Sequence, residues 1–250
     1  MYMKRKQSIV IGIITLIIVL IFFGASRFAR HQEIKDAENL LERQLPPETK
    51  LPTTNYSLLT TKEVNLPVPF TVQAPYGDWG MPYKEACEEA SALMAIRYVF
   101  GNNIEDKEDA DSAIKDLLRA NEVILEYPVD QTLEQVKDLI IEIDTNIPVR
   151  IIEDPEVSDL KDELAVGNVI IVPTAGRELK NPFYTQPGPM YHMLVLRGYT
   201  EDGYFITNDP GTKRGEGYLY KFERIMNAMH DWNDGDVASG GKRVLVVDPL

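Results

Sequence analysis

Cys87 is the only cysteine in the 250-residue chain. It stands in Glu85-Ala86-Cys87-Glu88-Glu89-Ala90-Ser91, where a loop pattern gives way to a helical one. A thiol at that boundary lies near the unpaired N–H groups and positive end of the helix dipole, which favour thiolate. Downstream, His192 opens one strand-like run and Asp209 closes the next. Thiol, imidazole and carboxylate are the parts of a nucleophile, its base and the base's orienter. In such chemistry the sulfur attacks a carbonyl carbon, and the imidazole takes the thiol proton and later protonates the leaving amine. The carboxylate fixes the imidazole tautomer, and N–H donors hold the oxyanion. The backbone N–H of Cys87 and the side-chain amide of Gln73 are the candidate donors.

Each of these residues also has a plainer use. A free cysteine is commonly a small buried apolar group, and Asn208-Asp209-Pro210-Gly211 is a turn sequence in its own right. Glu85, Glu88 and Glu89 would raise a neighbouring thiol pKa if their charges faced it, or would only complement the helix start. The remaining histidines are poorer bases: His31 falls in an N-terminal helical segment, and His230 at a helix end before Asp231-Trp232. Tyr76, Trp79, Tyr83, Phe183 and Tyr184 either line a cleft or pack the loops down.

The elements that must position the three groups are legible in outline. Ala86 to Phe100 reads as a central buried helix, rich in small residues and closed by Gly101. Tyr191–Tyr199 and Tyr204–Asn208 flank the turn sequence Thr200-Glu201-Asp202-Gly203, which predicts a β-hairpin. The turn lies about midway between His192 and Asp209, so the hairpin makes them near neighbours on one face. Asn208 should then point to the opposite face.

Around this frame the pattern predicts helices at Asp106–Arg119, Thr132–Ile141, Val157–Val166 and Glu223–Met229. It predicts strands at Leu66–Val72, Val149–Ile152, Asn168–Pro173, Gly217–Phe222 and Arg243–Val247. Thr174–Met190 reads as a long loop of the kind often tied to function. Helices first and strands later indicate an α+β domain, with N-terminal helices packed on a C-terminal antiparallel sheet.

The N-terminal part is of a different kind. Ile9 to Phe23 is almost uninterrupted apolar sequence preceded by Lys4, Arg5 and Lys6. Gln7 to Ala25 has about the length that crosses a bilayer as a helix, and the basic cluster places the N-terminus inside. Residues 1–26 are therefore expected to form one transmembrane anchor. The alternative is a signal peptide cleaved near Gly24-Ala25-Ser26, which gives a secreted protein. Residues 27–63 read as a juxtamembrane stalk and linker, and 64–250 as the folded domain, outside the cell membrane.

The net charge is −13, from 39 acidic against 26 basic residues. That balance argues against nucleic acid as a partner. A single cysteine excludes an intrachain disulfide framework and a zinc site built from several thiolates. No paired-ligand spacing is present, so neither metal nor organic cofactor is expected.

Four stretches carry a family resemblance. They are Val68-Pro69-Phe70-x-x-Gln73-Ala74-Pro75-x-Gly77-x-Trp79, Cys87-Glu88-Glu89-Ala90-Ser91, Gly188-Pro189-x-Tyr191-His192-Met193-Leu194-Val195, and Ile206-Thr207-Asn208-Asp209-Pro210-Gly211-Thr212. In this order, across about Asn65 to Pro249, they resemble a papain-like cysteine peptidase of the bacteriocin-processing (double-glycine leader peptidase) type. The nearer likeness is to stand-alone, membrane-anchored or secreted bacterial forms. The resemblance implies Cys87 as nucleophile, His192 as general base, Asp209 as orienting acid and Gln73 as oxyanion-hole glutamine. The Tyr76–Lys84 insert separates Gln73 from Cys87, so Gln73 must fold back to serve. A peptide or protein substrate follows. The residues themselves leave two other functions open: a catalytically silent domain that binds a peptide or envelope partner, and a thiol-dependent acyl or amide transferase.

Overall fold

The computed structural model describes residues 2–49, 61–125 and 130–250. The chain divides into two compact units, 1–43 and 44–250. The first contains one helix, α1 (Tyr2–Leu41). Most side chains of the expected anchor lie outside the described residues. Among the described residues no helix is long and apolar enough to cross a membrane.

The second unit contains β1 (Val64–Asn65), α2 (Cys87–Val99), α3 (Lys107–Leu125), α4 (Leu133–Ile143), β2 (Val149–Glu153) and α5 (Val157–Ala165). It continues with β3 (Val169–Ala175), β4 (Tyr191–Tyr199), β5 (Tyr204–Asn208), β6 (Tyr218–Lys221), α6 (Phe222–Ala228) and β7 (Arg243–Val247). The strands form one 7-stranded antiparallel sheet in the order β2-β7-β3-β4-β5-β6, with β1 added to the far end of β4. The architecture is the α+β arrangement expected.

Every residue of β3 and β4 is buried, so both faces of the sheet centre are covered. Helices α2, α3 and α4 pack on one another, and α2 lies against β4 and β3. Helices α5 and α6 also pack on the sheet. All of α2 except Arg97 and Tyr98 is buried, as its small residues predict. Gly101, at φ +65°, ends the helix in the left-handed conformation, and Asn102 N–H reaches back to Arg97 O at 2.8 Å.

Several expectations need correction. Leu66–Val72 is not a strand. Pro67 and Pro69 have no N–H to give a ladder, and pairing stops after Val64 and Asn65. Only Leu66 N–H continues toward the sheet, reaching Arg197 O at 2.7 Å. Helix α3 runs beyond Arg119 to Leu125.

The segment read as the linker's start packs onto the domain. Asn65 Nδ2 donates to Pro46 O at 2.7 Å, and Arg197 lies 3.8 Å from the Glu48 carboxylate. Residues 50–60 of that linker lie outside the described residues.

Candidate active site

Helix α2 begins at Cys87 itself, with Ala86 as its N-cap. The first N–H groups of a helix have no intrahelical acceptor, so the Cys87 backbone N–H can serve an oxyanion. Because α2 lies against β4, the helix start meets the strand end that carries His192. The backbone N–H of Met193, the next residue, opposes only part of the rise that burial and then Glu88 impose on the Cys87 thiol pKa. Cys87 and His192 line the same cleft, of about 940 Å³, although they are only 4% and 2% exposed.

The hairpin delivers the acid as expected. Val195 pairs with Asn208 and Leu196 with Thr207, which makes His192 and Asp209 a diagonal pair on one face. His192 Nε2 lies 2.8 Å from Asp209 Oδ1. Asn208 points the other way and donates to Val68 O at 3.0 Å.

The imidazole sits between two glycines. A Cβ on Gly211 would lie 2.9 Å from His192 Cε1, and one on Gly176 would lie 3.0 Å from His192 Cβ. Neither position has room for a side chain.

Asp209 is fully buried and surrounded by donors. Tyr184 Oη donates at 2.6 Å, Tyr220 Oη at 2.7 Å and Asn181 Nδ2 at 3.2 Å, all to Oδ2. Gly211 N–H donates to Oδ1 at 3.0 Å. Burial pushes the Asp209 pKa up, but the charge and hydrogen bond of His192 and the two phenols outweigh it, and the net shift is downward. Burial first, and then the Asp209 charge, push both tyrosines well above the usual phenol value. They remain neutral donors. Since Asp209 is an acceptor, His192 Nε2 is the donor of this pair, and Nδ1 is the ring nitrogen that Asp209 does not engage.

The sequence did not reveal this cradle. Tyr184 stood out only as an aromatic of the long loop, and Tyr220 and Asn181 gave no signal. A detectable cue was the Tyr218-x-Tyr220 spacing on a strand next to the Asp209 turn, since period two puts both rings on one face.

The thiol departs from expectation. The helix start favours thiolate, yet Cys87 is pushed well above its ordinary pKa, by burial and then by the charge and hydrogen bond of Glu88. Cys87 Sγ donates to Glu88 Oε2 at 3.0 Å, and Gln131 N–H donates to Glu88 Oε1 at 3.1 Å. Glu88 and Glu89 are both 0% exposed, so they do more than decorate the helix start. Burial, followed by the neighbouring Glu89, raises the Glu88 pKa. Glu89 is held by the side-chain amides of Asn121 and Gln131.

Gln73 folds back as the insert demands and lines the cleft with Cys87. Its Nε2 donates to Tyr83 O at 2.9 Å and Lys84 O at 3.0 Å, while its Oε1 is buried without a partner. In this arrangement the amide ties down the insert, and one of those bonds must yield before it serves an oxyanion. Of the candidate cleft aromatics, Trp79, Phe183 and Tyr184 line it. Tyr83 instead bonds Asp111, and Tyr76 is exposed. His230 Nδ1 is engaged with Gly240 O at 2.9 Å, a structural role. Among the described residues no cluster of potential ligands could hold a metal.

The profile of the Peptidase_C39 like family matches residues 65–234. The chain belongs to this family. Its enzyme class is that of a cysteine peptidase. A structure from Bacillus anthracis described as a C39-like peptidase superposes with a TM-score of 0.50 at 16% identity, covering 75% of this chain and 98% of that one. Xylellain, a cysteine protease from Xylella fastidiosa, gives a TM-score of 0.38 at 15% identity, over 82% of this chain and 95% of that one. A recombinant stem bromelain precursor gives 0.38 at 9% identity, over 90% and 93%. No curated protein sequence matches the chain.

Proposed function

We propose that this C39-like protein is an extracytoplasmic cysteine hydrolase of the bacteriocin-processing type, anchored by its N-terminal helix, that cleaves peptide or amide bonds through Cys87, His192 and Asp209. The observation that carries the reading is the His192–Asp209 pair, 2.8 Å apart, with Asp209 in a cradle of neutral donors and His192 lining the cleft that Cys87 also lines.

The chemistry runs in two halves. His192 Nδ1 takes the thiol proton and the sulfur attacks the carbonyl carbon, forming a C–S bond. The oxyanion is held by the Cys87 backbone N–H, joined by Gln73 once its amide turns. The C–N bond then breaks, and the imidazolium gives its proton to the leaving amine. Water, deprotonated by His192, attacks the thioester and the carboxylic acid leaves from sulfur, which regains a proton. An amine in place of water makes the same acyl-enzyme a transferase.

A second reading, a peptide-binding domain without turnover, draws on the raised thiol pKa and the committed Gln73 amide. The deciding experiment is hydrolysis of a mixed peptide library, with products read by mass spectrometry. Cys87→Ala should reduce turnover by at least about 10³-fold while the fold is retained. Turnover that survives this substitution would overturn the triad. A wild-type chain that cleaves no member of the library but still binds peptides from it would favour the silent domain.

A further inference from the structure

The charges around the cleft are segregated. Its acidic lining residues, Glu85 and Asp130, lie on the Cys87 side, and both belong to that neighbourhood electrostatically. Asp130 acts on the Cys87 thiol, and Glu85 acts on Asp130. Lys84 on the same side is neutralised locally, 2.9 Å from Glu85. The part of the lining drawn from residues 177–214 supplies Arg177, Lys213 and Arg214 and no acid. In a chain of net charge −13, such a cationic bank runs against the average.

The placement of two of these cations is tied to the base. Arg177 follows Gly176, and Lys213 lies two residues after Gly211, the two glycines that flank the His192 side chain. Lys213 Nζ sits over Gly77 of the neighbouring loop, where a Cβ would come within 3.1 Å of it. Arg177 spends one weak bond, Nε to Gly188 O at 3.5 Å. Among the described residues, neither Arg177 nor Lys213 has a carboxylate partner. Arg214 is packed over the Phe183 ring, 4.6 Å from its centroid.

The reaction gives this bank a direction. A scissile carbonyl at Cys87 puts the leaving nitrogen at His192, because the imidazole must protonate it. Residues beyond His192 therefore face the leaving-group segment of the substrate. Resting on the peptidase reading above, we propose that Arg177 and Lys213 form a carboxylate subsite on the leaving-group side of the scissile bond. The substrate class is a peptide with an acidic group shortly after the cleaved bond, supplied by an Asp or Glu side chain or by a free C-terminus. Guanidinium and ammonium groups suit a carboxylate, and Glu85 and Asp130 disfavour one beside Cys87.

Two matched peptide sets separate the sources. One carries Glu, Gln or Lys at each of the positions after the scissile bond, with an amidated C-terminus. The other is neutral throughout and ends there in either a free carboxylate or an amide. Wild-type kcat/KM should favour the acidic member over the lysine member by about five- to tenfold, the worth of one or two exposed ion pairs. The preference should fall with added salt and reverse in R177E/K213E. An advantage confined to the second set assigns the subsite to the C-terminus, and one confined to the first assigns it to side chains. Equal rates for all members, or a preference that survives R177E/K213E, would overturn the subsite. Binding of the same labelled peptides to Cys87→Ala, read by fluorescence anisotropy, tests the subsite without turnover. Tighter, salt-sensitive binding of acidic members supports it even if no peptide is hydrolysed and the peptidase reading falls. Equal binding of acidic and lysine members would overturn it.

Discussion

The thiol of Cys87 donates to the carboxylate of Glu88, Sγ to Oε2 at 3.0 Å, although the two residues are adjacent at the start of one helix. A sulfur bonded in this way rests as a thiol. The carboxylate stabilises the S–H and opposes the charge that forms on ionisation.

Glu88→Gln keeps the shape and an acceptor oxygen but removes the ionisable carboxyl group. The thiol pKa should fall, and the thiolate fraction at pH 7 should rise. Alkylation by iodoacetamide at that pH should be about three- to tenfold faster. Measured against pH, the midpoint of the alkylation rate should move down. An unchanged or slower rate would show that the Glu88 carboxylate does not control the sulfur.

The same contact shows what sequence could and could not carry. The His192–Asp209 pair was legible because a short turn fixes a hairpin, and period two then fixes the face. Cys87 at a helix start was legible from the break in pattern. Its ionisation was not, because Glu88 could have pointed outward, and only the packing of α2 against Gln131 and β4 turned it inward. The place of β7 between β2 and β3 was equally hidden, since pairing distant in sequence leaves no local mark. Two backbone features escaped for the same reason. One is the bulge between Leu196 and Gly198 in the β4–β5 pairing; the other is the close approach of β1 to β4 at Gly198. There a Cβ on Gly198 would fall 2.0 Å from Val64 O.

The Asp209 cradle makes a graded prediction. Asp209→Asn keeps the size of the side chain but places an amide among donors, so the imidazole loses its orienting carboxylate. kcat should fall by about 10²- to 10⁴-fold. Tyr220→Phe removes only the 2.7 Å bond to Oδ2 and should cost about tenfold or less. Its clearer effect is on acid stability. Asp209 has a lowered folded pKa, so its contribution is present above the unfolded value and is lost as pH falls through the folded value. Loss of one donor raises that folded value. The acid unfolding midpoint of Tyr220→Phe, followed by circular dichroism, should therefore lie at higher pH than that of the wild type. A midpoint that stays put would remove Tyr220 from the carboxylate's support.

Asp130 predicts the opposite slope. Burial first, and then the charge of Glu85, push its pKa up to about 6 from an ordinary 3.8, while Lys84 pulls it down. Cys87 and Glu88, packed near it, also feel its charge. A raised acid is favoured in its protonated form by the fold. Its contribution to stability is therefore highest below the unfolded value, declines as pH rises through the window from 3.8 to about 6, and is constant above it. Asp130→Asn should remove this part of the decline. Glu88 and Glu89, also raised, leave a residual slope of the same sign. At pH 7 the variant should be more stable than the wild type by about 1 kcal/mol, allowing for solvent screening at a half-buried site. At pH 4 the two should be nearly equal. Paired urea titrations at both pH values measure the difference directly. A variant with the same pH dependence as the wild type would mean that Asp130 is no more costly to ionise in the fold than in the unfolded chain.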